Sequence, residues 1–432
     1  MGTTKAKAPA KAAAAAPKTS RNLPKKTFIL DNGAYNMKAG YAPDLSSSDV
    51  LSACTSIPNA IVKTRDNRIV IGAQLATHVT DWNEVAFRRP VEKGYIVNWE
   101  AEREIWEQSF FEEKATARNK LGCELGREGN YTGPTLNAWN EIHSLFGDTL
   151  TGKPESDILP ADCLLVVDSG YSHTTVTPVY KGQTLQRGVR RLDIGGKHLT
   201  NYLKEIVSMR QYNMVDETYI MNEVKEAVCF VSNNFKGDME RTWKGNRKLQ
   251  AEEGVVVDFV LPDPNAGKKG FMRPHDPLLL AKKKKGAASG LSAEVLSEDV
   301  LVLGNERFAV PELLFTPGDI GMKQAGVPDM ILDSLSVLPA GLHAAFLANV
   351  LVVGGNAAIP GFMERLETEL RQVASSDCVV RVHRATDPVR STWLGGVRLA
   401  NNREELGRVS ITRQEYQEHG SGWAGRHFAG TI

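Results

Sequence analysis

The sequence predicts an α/β protein of two domains organised around a repeated strand-turn-strand device, and three observations predict it. At 432 residues the chain exceeds what one hydrophobic core usually holds. An apolar strand runs into Asp-x-Gly and returns as a second strand at Thr27 to Ala42 (TFILDNGAYNMKAGYA), and the pattern recurs at Cys163 to Tyr180 (CLLVVDSGYSHTTVTPVY). A third apolar strand opens through a glycine pair towards a helix at Leu351 to Phe362 (LVVGGNAAIPGF).

Each hairpin places a carboxylate, Asp31 or Asp168, at a strand end. Gly33 or Gly170 then permits a tight turn whose backbone N–H groups can face an anion. Two such hairpins could clamp a polyphosphate from opposite sides while the aspartates hold the hydrated cation that accompanies it. The Gly354-Gly355 turn is a natural anion or nucleotide contact where a strand meets a helix.

In this order the motifs resemble the phosphate 1, phosphate 2 and adenosine motifs of the superfamily that holds actin, the heat-shock chaperones and the sugar kinases. Longer stretches resemble actin: Asn305 to Asp329, Arg190 to Val207, Val224 to Ser232, Ser391 to Ala400 and Thr412 to Gly420. The likeness spans Thr27 to about Phe428. Within the actin-related proteins, the segments DNGAYN, DSGYS and LTNYLKEIVSMRQYNMVDETY, with the spacing from VDFVLPD to LGNERFAVPE, most resemble a nuclear, chromatin-associated branch.

The resemblance implies an actin-like ATPase-superfamily fold, in which two duplicated mixed-sheet domains surround a nucleotide cleft and carry small inserted subdomains. Residues 27–167 form the first half, with 112–160 divergent, and 168–400 the second. A small subdomain is inserted at about 208–303, including a basic loop over 264–298, and 401–432 returns to the first half. Residues 1–26, rich in Ala, Lys, Pro and Thr and free of acids, read as a disordered basic tail. That tail is either a solvating extension or an arm for nuclear targeting and DNA phosphate.

Site residues follow from the resemblance. Asp31 and Asp168 would face magnesium through water, and Lys38 the phosphates; Asn32, Gly33, Ser169, Gly170 and the Gly195-Gly196 turn would line the phosphate side. Lys225 and Glu226 would meet ribose and base, and Gly354, Gly355 and Asn356 the adenosine. The cofactor implied is ATP or ADP with magnesium. For Lys225 and Glu226 the competing reading is a solvated helix face.

Several positions depart from actin. Tyr35 and Tyr171 stand where it has Gly and Asp, and Ala34 and Ser172 replace a Ser and a Gly. A phenol beside each turn obstructs close backbone approach. Val389 falls at the base-stacking lysine, with Arg390 next to it as a substitute. The stretch 112–160 shows neither the expected strand nor a helix with a water-orienting glutamine. The run Ser56 to Leu75 is too short for actin's exposed filament loop. Nucleotide would therefore be structural rather than consumed, and longitudinal polymerisation is not expected.

Composition adds exclusions. A formal charge of +1 argues against a whole-molecule nucleic-acid binder, and no apolar run approaches a membrane span. Cys54, Cys123, Cys163, Cys229 and Cys378 are scattered without a CxxC pair, as expected of free thiols. GxSxG and HExxH are absent, and DIGGKHLT lacks the ends of a P-loop. His173 near Asp168 reads as a polar residue on an alternating strand.

The resemblance thus implies a non-catalytic subunit of a nuclear ATP-dependent chromatin-remodelling complex that exchanges a canonical histone for a variant. Its expected partners are the other subunits and the nucleosome or its histones, with contact to the DNA backbone also open. Location is the nucleus, with the cytoplasm left open. In the basic loop, Phe271, Leu278, Leu279 and Leu280 are candidate partner anchors, beside the run Lys282, Lys283, Lys284 and Lys285. Two other readings stay open: a cytoplasmic actin-like ATPase that forms or caps filaments, and a small-molecule kinase of the same superfamily.

Overall fold

The computed structural model describes residues 26–46, 49–79, 81–82, 85–111, 162–242, 255–263, 267–279 and 298–428. The basic tail up to residue 25, the divergent stretch 112–160, Cys123, Leu280 and Lys282 to Lys285 lie outside them.

Strands β1 (Phe28–Asn32), β2 (Asn36–Tyr41) and β3 (Thr55–Pro58) form the sheet of the first half, in that order. Antiparallel pairing sets Asp31 opposite Lys38, so the register of the hairpin brings carboxylate and ammonium together. Alternation sends Met37, Ala39 and Ile57 into a core shared with Ile105 and Phe110. Those two come from the Trp99–Trp106 helix, capped by the Asn98 side chain accepting from the Ala101 N–H, and its continuation Glu107–Phe111.

Strands β4 (Ile61–Lys63), β5 (Ile69–Ile71) and β6 (Ala86–Arg88) make a smaller sheet ordered β5-β4-β6. A tight turn links β4 to β5: the Thr64 N–H donates to Arg68 O at 3.0 Å, and Asn67 takes φ 62°. A two-strand ribbon, β7 (Val91–Glu92) and β8 (Tyr95–Ile96), follows.

The second half is built on β9 (Cys163–Ser169), β10 (Thr174–Tyr180), β11 (Gln183–Thr184) and β12 (Arg190–Leu192). Its insertion carries β13 (Val257–Val260), β14 (Phe271–Pro274) and β15 (Val300–Leu303), ordered β14-β13-β15. Strands β16 (Val350–Val353) and β17 (Val382–Arg384) complete the main sheet, ordered β11-β10-β9-β16-β17, with β12 on β10. β16 runs parallel to both β9 and β17. Strand β9 is therefore central, and Leu164, Leu165 and Val167 are buried on both faces.

Strand β9, which starts at Cys163, pairs with β10 and β16 and with nothing in the first sheet among the described residues. Within the inserted segment Asp263 and Lys268 form a bridge, and Phe271–Pro274 is strand β14. The Ser391–Asn401 helix packs back on β1 of the first sheet. Trp393 of that helix is fully buried, and a Cβ on Gly396 would meet Ile29 Cγ2 of β1 at 2.7 Å. Glycine there lets helix and sheet close on one another.

The described cysteines Cys54, Cys163, Cys229 and Cys378 are free thiols, and burial pushes Cys229 up to about 12. In the small sheet, fully buried Asp258 on β13 is held by His275 Nδ1 at 2.7 Å and lies 3.9 Å from Arg273 Nε. Removing one partner of a buried charge strands the other. His275→Ala should cost about 2 to 4 kcal/mol of stability in this subdomain, read as lost amide-exchange protection on β13 with the main sheet unchanged.

Candidate functional site

Both Asp-x-Gly hairpins and the Gly354 turn converge on one cleft. Lys38 Nζ lies 3.2 Å from Asp31 Oδ2 in the first hairpin. Asp168, at the end of β9, stands opposite: its carboxyl is crowded by protein but keeps a face open to solvent. Desolvation first, and the facing Asp31 second, push it up to about 6, with Lys38 pulling the other way. Water still reaches this carboxyl, so the Asp31 repulsion is the more telling cause. Two carboxylates sharing one lysine are short of positive charge. That donor set fits a hydrated magnesium bridging to phosphate oxygens, with Lys38 neutralising the phosphates.

The second hairpin is held rigidly from behind. Asn356 Nδ2 donates to Ser169 Oγ at 3.1 Å and to Gly170 O at 2.9 Å. Ser169 Oγ in turn pairs with Thr174 Oγ1 at 3.0 Å, and Thr174 donates to Ile194 O. The Gly196–Arg210 helix sets its first N–H groups on the same turn, Gly196 N on Gly170 O and Lys197 N on Tyr171 O. A Cβ on Gly195 would lie 2.7 Å from Gly170 O, His173 N and Tyr171 O, so this approach requires glycine. Gly354, at φ 91°, passes so close to Ser169 O that a Cβ would overlap it.

These contacts sort the expected site residues. Asp31, Gly33, Lys38, Asp168 and Gly170 line the cleft. Asn32 does not: its side chain accepts from Trp106 Nε1 at 3.3 Å and bonds to buried Glu102, leaving its backbone alone for a ligand. Ser169 and Asn356 support the turn through the bond between them, Gly196 through its N–H on Gly170 O, and Gly195 through its close approach to the turn backbone. Gly355 faces open space, with nothing within 4 Å of where its Cβ would be.

Lys225 is no solvated residue. It is buried on the Thr218–Val228 helix, and its ammonium donates to Asn222 Oδ1 (2.9 Å), Thr200 Oγ1 (3.1 Å) and Gly196 O (3.4 Å). Glu226 is exposed and accepts from Asn222 Nδ2 at 2.8 Å. Arg390 is engaged locally with Asp387 at 2.6 Å, and Val389 is exposed. His173 lies in the turn before β10, not on it, with its ring against Gly94.

The two tyrosines that depart from actin complete the cleft, together with Arg89, Trp82 and Tyr219, which the sequence did not single out. The rings of Tyr35 and Tyr171, one from each hairpin tip, touch with centroids 4.8 Å apart. Arg89, beyond β6, lies 4.5 Å over the first and 5.3 Å over the second. Trp82 stacks on Tyr219 of the opposite half at 3.9 Å. No local pattern marks Arg89 or Tyr219, because only the closure of the two halves brings them together.

The family model for actin matches residues 22–123 and 129–429, running through most of the stretch 112–160. Among curated proteins, the chain is 64% identical over 471 aligned residues to "Actin-like protein arp6" of Aspergillus fumigatus, covering all of both chains. It is 43% identical to "Actin-related protein 6" of Neurospora crassa, covering 94% of this chain and 95% of the relative. The identity to "Actin-related protein 6" of Drosophila melanogaster is 32%, with coverage of 91% and 97%.

Two outcomes follow from this geometry. Gly354→Ala should lose about 2 kcal/mol or more, since it adds strain at positive φ to a backbone clash; the thermal midpoint measures it. Magnesium with ADP should raise the thermal midpoint of the unsubstituted protein, and Asp168→Asn should diminish that rise while the protein stays folded.

Proposed function

Since the chain belongs to the actin family, we propose that it serves as a non-catalytic actin-fold subunit of a nuclear ATP-dependent chromatin-remodelling complex. In this reading the complex exchanges a canonical histone for a variant, a separate motor subunit hydrolyses ATP, and ATP or ADP with magnesium in the cleft is structural. The observation that carries the non-catalytic part is the contact between Tyr35 and Tyr171. The two turns that would grip the transferring phosphate end in phenol rings packed on one another. Phosphoryl transfer needs preorganised groups and an in-line water around that phosphate. Rings that fill the gap leave no room for such an arrangement.

The tight Thr64 to Arg68 turn supports the same reading, because it removes the projection through which filament subunits would engage. The nuclear setting and the histone-exchanging assembly rest on the motif resemblance, alongside full-length relatives named actin-related protein 6. Contact with other subunits would fall on the small sheet of the second half. Phe271 and Met272 on β14 and Leu278 in the helical turn after it are exposed, with relative exposures of 48%, 45% and 73%. Leu279 is half-buried. Exposed apolar residues on this edge strand and the turn that follows it are an economical anchor for a partner. Lys282 to Lys285 would add attraction for nucleosomal phosphate or acidic histone surfaces.

Affinity purification of the tagged chain from nuclear extract, with mass spectrometry, tests this. Stoichiometric recovery of a remodelling motor supports it; recovery of the chain alone or with cytoskeletal proteins counts against it. Phe271→Ser, Met272→Ser and Leu278→Ser combined should leave the thermal midpoint nearly unchanged and abolish co-purification. Unchanged recovery would move the docking surface elsewhere.

A further inference from the structure

The two tyrosines at the hairpin tips form the inner layer of a closure that spans the cleft. Its outer layer stacks Trp82 and Phe87 of the first half against Tyr219 of the second, with the Trp82 and Tyr219 planes 12° apart. Arg89 ties the layers together. Its guanidinium lies over Tyr35, Tyr171 and Phe87, at 4.5, 5.3 and 5.2 Å. Its Nη1 donates to Tyr35 O at 3.0 Å and Asn59 O at 3.3 Å, which fixes the group in place. The Tyr35 hydroxyl accepts from Asn222 Nδ2 across the cleft at 3.4 Å.

A polyphosphate gripped by both hairpins must put its terminal phosphate between the turn tips, the one place where backbone N–H groups of both can converge on it. Here the Tyr35 and Tyr171 rings stand in contact between the tips, with centroids 4.8 Å apart, and occupy that place themselves. Deeper in the cleft the obstruction ends. Asp31 pairs with Lys38 at 3.2 Å, Asp168 lies close enough to feel both charges, and Gly355 borders open space.

We propose that the Tyr35–Tyr171 pair, held by Arg89, makes the cleft selective for a nucleoside diphosphate with magnesium and shuts out a third phosphate. This inference rests on the reading of the cleft as a nucleotide site. It assigns Tyr35 and Tyr171 as specificity residues and Arg89 as the positioning residue that keeps both rings in place. The rings work by occupancy, so their hydroxyls are not required for the discrimination.

Calorimetry on the full chain, stripped of nucleotide, tests the proposal with magnesium-ADP and with the magnesium complex of the β,γ-imido analogue of ATP. The diphosphate should bind at least about tenfold more tightly. Tyr35→Gly combined with Tyr171→Gly should bring the two affinities to within about threefold, whereas Tyr35→Phe with Tyr171→Phe should keep the discrimination. Should the double glycine variant not fold, Tyr171→Ser alone should narrow the ratio in the same direction. Equal affinities in the unsubstituted protein, or a ratio that survives loss of the rings, would overturn the proposal. Binding of neither nucleotide would overturn the nucleotide reading with it, while recovery of a remodelling motor in the purification above would still stand.

Discussion

The structure depends on the polar chain that fixes the second hairpin. Asn356, Ser169, Thr174 and Ile194 O are joined by hydrogen bonds of 2.9 to 3.1 Å. They bring together three segments far apart in sequence: the end of β9, the turn after β16 and the turn before the Gly196–Arg210 helix. Ser169 and Thr174 are fully buried, so each hydroxyl needs a partner, and loss of a link would weaken the satisfaction of its neighbours. Gly195 and Gly354 permit the convergence because a side chain at either would strike the backbone it approaches. The turn that results is rigid, and its tip is aimed across the cleft.

On the opposite side, strand register does the corresponding work. Pairing of β1 with β2 places Asp31 against Lys38 by local register alone. Closing the halves then brings Asp168 up to this pair and raises a charge imbalance that a divalent cation would relieve. The same closure puts aromatic rings where the two tips meet. The carboxylate proposed to meet the cation and the ring proposed to exclude a third phosphate thus belong to one hairpin, Asp31 on the strand and Tyr35 at its tip.

Much of this was legible in the sequence, and the reasons are local. Each Asp-x-Gly hairpin announces itself by an apolar strand, a turn glycine and a returning strand, all within one short segment. The helix beginning at Trp99 shows its buried face through Ile105 and Phe110. What escaped was set by tertiary closure. Asn32 belongs to the same motif as Asp31, yet Trp106 and Glu102 draw its side chain away. Lys225 reads as an ordinary helix charge until the helix packs and its ammonium finds three acceptors. Strand β14 was hidden in a polar, glycine-rich stretch, because an edge strand with exposed side chains has no apolar run to reveal it.

The central claim is that the tips of the two hairpins meet through their own side chains rather than through a phosphate. An experimental structure of the protein saturated with magnesium and ATP tests it most directly. Tyr35 and Tyr171 should remain in contact beneath Arg89, with no phosphate between them. Rings parted around an ordered terminal phosphate, held by the backbone of both turns, would contradict it.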